Sequence, residues 1–184
     1  MTIYTIGHSN HPLEKFIEML ATYGIELVVD VRTIPKSRYN PQFNSDVLSA
    51  SLKEKGIAYR HIPDLGGLRH AKKDSQNKGW ENDSFRGFAD YMQTEGFEKG
   101  VAELIALAEE KKSAVMCAES VPWKCHRSLI SDALLVRDIT VMHIMSKASA
   151  KGHALTPFAE VSGTTITYPG TSEQQTLFDE NEQE

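Results

Sequence analysis

A chain of 184 residues with 40% hydrophobic and 24% charged content suits one globular domain, large enough to bury a core without staples. Two cysteines exclude a disulfide-rich framework, and no apolar run approaches the ~20 residues of a membrane span. A net charge of −5 excludes a surface coated in positive charge for nucleic acid, and MTIYTIGHSN lacks a signal-peptide layout, so a reducing cytoplasm is the expected setting.

Thr2–Ile6 (TIYTI) reads as a buried strand that runs into Gly7-His8-Ser9-Asn10. Pro12 suits the first turn of a helix with Leu13, Phe16, Ile17 and Leu20 on its apolar face, and Gly24 ends it. Glu26–Val31 (ELVVDV) has the β-branched character of a second buried strand. Arg32–Asn44 holds two prolines and reads as a loop, Asp46–Lys55 as a helix stopped by Gly56, and Ile57–Ile62 as a third strand. Residues 63–83 are polar and without periodicity, the mark of a long functional or mobile loop. Ser84–Thr94 and Phe97–Lys111 read as two helices, Ser113–Ala118 as a fourth strand, His126–Val136 as a helix and Ile139–Met145 as a fifth strand. Lys151–Glu184 is rich in Thr, Ser, Glu and Gln and reads as a loosely packed extension with a disordered acidic tail.

This alternation predicts an α/β three-layer sandwich with a mainly parallel, Rossmann-like sheet of about five strands. The α/β domain spans 1–150 and the extension 151–184. Right-handed crossovers place the C-terminal strand ends on one edge, where such sheets bind ligands. His8, Asp30 with Arg32, His61 with Asp64, and Cys117 with Glu119 all arrive there. Windows 32–38, 60–80 and 117–127 together hold ten of the twenty Lys and Arg but three of the twenty-five acids. Meeting at that edge, they predict a basic pocket on an acidic body.

Cys125 and His126 stand where a helix begins, a position that lowers a thiol pKa and binds anions. Cys117 or Cys125 is therefore a candidate nucleophile, with His8, His126 and Glu119 as candidate acids or bases. Arg32 and Arg127, with Ser9, Asp30, Lys36 and Arg38, are candidate substrate-binding residues. The spacing does not fit a Cys-x5-Arg phosphatase loop, because Trp123 holds the sixth position after Cys117. It does not fit Cys-x-x-Cys either. A redox bridge between the two cysteines, or zinc held by Cys117, Cys125 and a His, are the alternatives; no cofactor is otherwise expected. Gln174-Gln-Thr-Leu-Phe178 resembles the Gln-x-x-Leu-Phe peptides with which DNA-processing proteins hold a sliding clamp, so Gln174, Leu177 and Phe178 are candidate partner contacts.

Thr5-Ile-Gly-His-Ser9, Asp30-Val-Arg32 with Pro35 and Ser37, Leu65-Gly-Gly67, Cys117-Ala-Glu119 and Cys125-His-Arg127 together resemble the bacterial and archaeal family called domain of unknown function 488. The resemblance spans roughly 2–145 and implies an α/β fold with these motifs at its active site; it names no substrate. The leading expectation is an enzyme acting on a phosphate-bearing substrate, a nucleotide or nucleic acid, in DNA processing. The alternative is a non-catalytic module bound to nucleic acid or a sliding clamp.

Overall fold

The computed structural model describes residues 1–170. Five strands, β1 (Thr2–Gly7), β2 (Leu27–Asp30), β3 (Ala58–His61), β4 (Ser113–Cys117) and β5 (Thr140–Ser146), lie parallel in the order β3-β2-β4-β1-β5. A sixth, β6 (Ser149–Gly152), pairs antiparallel with the outer edge of β5. It escapes a sequence reading because SAKG carries no apolar alternation. β2 and β4 are buried along their whole length, as central parallel strands covered on both faces must be.

Successive side chains point to opposite faces, so each strand feeds two cores. On one face Ile6, Val28, Ala114 and Met116 pack against α1 (Leu13–Thr22) and α2 (Ser45–Glu54) through Phe16, Leu20, Leu48 and Leu52. On the other, Ile3, Val29, Val115 and Val141 meet α3 (Asp83–Tyr91), α4 (Glu95–Glu110) and α5 (Arg127–Leu135) through Phe88, Val101, Leu104 and Leu129. The fold is thus the three-layer α/β arrangement that the alternating pattern predicts. Helix starts follow local chemistry: Asn82 caps α3 by accepting from the backbone N–H of Ser84 and Phe85, and Thr94 caps α4 through Phe97.

Strand order fixes where the chemistry collects. The chain steps outward from β1 to β2 and β3, then returns to insert β4 between β1 and β2. Register pairs Gly7 with Cys117, and Asp30 with both Met116 and His61. The last residues of four strands therefore form one rim.

Residues 151–170 are more tightly built in than their polar composition suggests. After β6 come the two strands of a hairpin, β7 (Glu160–Ser162) and β8 (Thr165–Thr167). Ile166 and Tyr168 join the α3–α5 core, and Tyr168 is fully buried. Two apolar side chains in a polar stretch carry no periodic signal, yet they anchor it. Gln174, Leu177 and Phe178 lie outside the described residues.

Candidate active site

Cys117 ends β4 with 2% exposure, and its Sγ accepts a hydrogen bond from Nε of Arg127 at 3.1 Å. Arg127 opens α5 and is 1% exposed. Its other donors reach Oγ1 of Thr5 at 3.1 Å and the carbonyls of Glu119 at 2.7 Å and Ser120 at 3.3 Å. Among the described residues it forms no ion pair with a carboxylate. Burial lowers its pKa to about 10, so the guanidinium remains charged at neutral pH. Gly7 makes this approach feasible: a Cβ there would stand 1.8 Å from the Glu119 carbonyl oxygen and 2.9 Å from Nη2 of Arg127. Ser9 follows in the left-handed region at φ 47, its N–H donating to the carbonyl of Ala118 at 2.9 Å. A non-glycine residue held there stores backbone strain beside the site.

The chain reaches α5 through one 3-10 turn, Pro122–Lys124, and then Cys125. Sγ of Cys125 accepts from the backbone N–H of Arg127 at 3.4 Å and lies 3.6 Å from Nδ1 of His126. A carbonyl can only accept, so the contact of His126 Nε2 with Val31 O at 3.1 Å puts the ring proton on Nε2. Nδ1 then faces the Cys125 thiol as an acceptor. Burial lowers the His126 pKa to about 4, keeping the ring neutral. Gly67 admits this ring, because a Cβ there would stand 2.5 Å from Nδ1. The structure joins the two sulfurs as the pair Cys117–Cys125, with Cα atoms 7.7 Å apart. That separation exceeds the ~4.4–6.8 Å usual for a bridge, which favours the reduced pair of thiols over the bridge.

Opposite the thiols stands a buried ion pair. Asp30, fully buried at the end of β2, accepts from Nε of Arg32 at 2.9 Å and from Nη2 at 2.6 Å. It also accepts from the Tyr59 hydroxyl at 2.6 Å. Burial, then the carboxylate, pushes the Tyr59 pKa up, so the phenol stays a donor. Nη2 of Arg32 also reaches the Phe43 carbonyl at 2.8 Å, and Nη1 meets Nε2 of His8 at 3.3 Å. An arginine only donates, so His8 accepts on Nε2 and carries its proton on Nδ1, which donates to the Ser9 carbonyl at 2.7 Å. Burial lowers the His8 pKa to about 4, and Phe43 stacks on the ring at 4.3 Å. His61 closes the cluster through Nε2, which donates to the Arg32 carbonyl at 2.8 Å.

These walls enclose a cavity of about 400 Å³. His8, Arg32, Lys36, Cys117, Glu119, Cys125 and His126 all line it, so seven residues named from the sequence meet there. Asp30 and Arg127 stand behind the wall and position Arg32 and Cys117. Ser9 and Arg38 lie off the lining. Sequence reasoning missed Thr33, Ile34, Leu68, Phe85 and Lys124 on the same walls, together with Tyr59 and Phe43 behind them. Lys124 alone was signalled, by its place between Cys117 and Cys125. Among the described residues no group of three or more His, Cys, Asp or Glu side chains is arranged to hold a metal ion.

A polar relay leads away from the site and was not legible in the sequence. Thr5 Oγ1, which accepts from Arg127, is 2.7 Å from Nδ1 of His143 on β5. Nε2 of His143 is 3.0 Å from Nδ1 of His153, whose Nε2 is 2.7 Å from Oδ1 of Asp132. The carboxylate of Asp132 also accepts from Thr156 Oγ1 at 2.6 Å and Tyr168 Oη at 2.8 Å. A cation and an anion, both buried, are thereby joined through a threonine and two imidazoles. One arrangement satisfies every contact: Thr5 O–H donates to His143 Nδ1, His143 Nε2–H to His153 Nδ1, and His153 Nε2–H to Asp132.

The fold and the rim together define an α/β protein with two buried, adjacent cysteines at the C-terminal edge of a parallel sheet. The chain belongs to the family described as domain of unknown function DUF488, whose model matches residues 12–134. No curated protein and no solved structure matches the chain. Within the described residues no helix is long and apolar enough to cross a membrane.

Proposed function

We propose that this protein is a thiol-dependent enzyme that acts on an anionic, phosphate-bearing substrate bound in the cavity at the sheet edge. One observation carries this reading: the buried guanidinium of Arg127 donates to Cys117 Sγ and has no carboxylate partner among the described residues. A buried cation favours an adjacent anion strongly, because few water dipoles compete for it. Ionising the Cys117 thiol supplies that anion. Cys117 is therefore the nucleophile, and Cys125, with His126 Nδ1 as its acceptor, is the neighbouring thiol.

Substrate binding falls to the cations that face the cavity. Asp30, Phe43 and His8 engage four of the five N–H donors of Arg32, which leaves one Nη1 proton for a ligand. Lys36 and Lys124 add mobile charge on the lining. Arg127 turns its donors to Cys117, Thr5 and the Glu119–Ser120 loop, so its part is to hold the nucleophile.

The test is the pH dependence of iodoacetamide alkylation on reduced protein, with the labelled cysteine identified by peptide mass. Cys117 should react with a midpoint well below the ~8.5 of an ordinary thiol. Inorganic phosphate or a nucleotide should slow the reaction by occupying the cavity. An ordinary midpoint at both cysteines, with no protection by any phosphate compound, would overturn the proposal.

A further inference from the structure

The thiol cavity is not a closed pocket. It shares Leu68 and Ser84 with a second depression of about 620 Å³ formed by residues 68–73 and 83–86. The two adjoin at these residues, beside the start of α3, as a two-part groove. Along it Arg32 is neutralised by Asp30, and Arg86 pairs with Asp83 at 3.6 Å. Lys36, Lys124, Lys72 and Lys73 remain on the lining, where Glu119 is the only other carboxylate among the described residues; Arg69, also there, is turned to the Tyr91 ring and the Gly66 and Pro63 carbonyls. This imbalance stands on a chain whose net charge is −5, so positive charge is concentrated there against the overall sign.

A second observation separates this groove from a site for a small anion. Seven large hydrophobic side chains are exposed among the described residues, and four of them stand on the loops around the thiol cavity. Ile34, 62% exposed, and Leu68, 69% exposed, are on its lining. Tyr39, 90% exposed, lies two residues beyond the lining residue Ser37, and Trp123, 60% exposed, precedes the lining residue Lys124. Tyr39 and Trp123 flank the groove rather than line it, and Trp123 faces a separate depression with Trp80 and Phe158. Exposed apolar side chains beside unpaired lysines, with rings at the flanks, suit a polymer of phosphates and flat bases. Free phosphate or a carboxylate gains nothing from Tyr39 or Trp123.

We infer that the groove binds single-stranded nucleic acid, its phosphates following Lys72 and Lys73 and one nucleotide entering the thiol cavity. A base still stacked in a duplex could not reach Cys117 at the bottom of that cavity, so an unpaired strand is the form that fits. This inference rests on the proposed reading of the cavity and extends it from a phosphate-bearing substrate to a polymer. Binding should weaken with salt, by about 0.7 logarithmic units per tenfold salt for each phosphate neutralised.

Fluorescence anisotropy with a labelled single-stranded oligonucleotide tests it on the reduced, full chain. The single strand should bind more tightly than the same sequence as a duplex and than inorganic polyphosphate. Lys72→Glu with Lys73→Glu should weaken binding roughly tenfold or more and flatten its salt dependence. Tyr39→Ala with Trp123→Ala should weaken it without changing the salt slope, because stacking is lost and no charge is removed. These four side chains are exposed, so the fold is not at stake. Equal binding of polyphosphate, preference for duplex, or no binding at low salt would each overturn the inference. If the strand fails to bind while a mononucleotide still shields Cys117 from alkylation, the polymer groove falls and the cavity reading stands.

Discussion

His153 donates from Nε2 to Oδ1 of Asp132 across 2.7 Å, and this pair ends a relay that begins at Arg127 behind the wall of the thiol cavity. Asp132 is fully buried and also accepts from the Thr156 backbone N–H at 3.1 Å, from the Thr156 hydroxyl and from the Tyr168 hydroxyl. Asp132→Asn replaces an oxygen by a donor where only donors converge. Its cost should be about 2–3 kcal/mol, read by urea unfolding. It also removes the negative end of the relay, so the alkylation midpoint of Cys117 should move down, away from that of an ordinary thiol. A purely structural role for Asp132 would lower stability and leave that midpoint in place.

The second ion pair makes a smaller prediction. Tyr59 donates to Asp30 at 2.6 Å, a charge-assisted bond on a carboxylate without access to water. Tyr59→Phe removes one hydroxyl and nothing else, so it should cost about 1.5–3 kcal/mol in urea unfolding. Arg32 keeps its bidentate grip on Asp30, and ligand protection of Cys117 should be unchanged.

Acid should destabilise the protein through its buried histidines. Burial lowers the pKa values of His8, His126 and His143 to about 4 from the ordinary 6.5. As pH falls below about 6.5 the unfolded chain takes up protons that the native rings refuse, so equilibrium shifts toward unfolding. The stability contributed by the neutral rings is complete above that pH and is lost progressively toward about 4. The urea midpoint should therefore fall steeply across this window, and His126→Gln should make the fall shallower. A flat profile from pH 7 to 4 would contradict the burial argument.

Two glycines separate backbone from side-chain crowding. A methyl group at Gly7 would meet the Glu119 carbonyl, which is fixed by Arg127, whereas at Gly67 it would meet the His126 ring. Gly7→Ala should cost at least the ~1–3 kcal/mol typical of overpacking, because backbone must move. Gly67→Ala should cost less and instead displace His126 from Cys125. It should be seen as a changed ratio of Cys125 to Cys117 labelling in a protein that still unfolds cooperatively.

Local pattern made much of the fold legible. Among the described residues, five of the six strands of the main sheet and all five α-helices announce themselves by periodicity, glycine stops and a β-branched run such as ELVVDV. Each of those signals is written within a few residues of where it acts. β6 and the anchoring of Tyr168 carry no such signal, because a polar strand and one buried ring depend on partners far along the chain.

The same division runs through the site. From the sequence alone follow the α/β class, the basic windows, and the arrival of His8, Asp30, Arg32, Cys117, Cys125 and His126 at one edge, because parallel crossovers deliver every strand end to the same side. Tertiary structure alone decides which cation faces the cavity and which faces the thiol. Arg32 and Arg127 look alike in sequence, yet Arg32 reaches the cavity from an acidic clamp while Arg127 is buried against Cys117. It also decides that Thr5, Asp132, His143 and His153 join one relay, since hydrogen bonds spanning up to 138 residues leave no trace in local spacing.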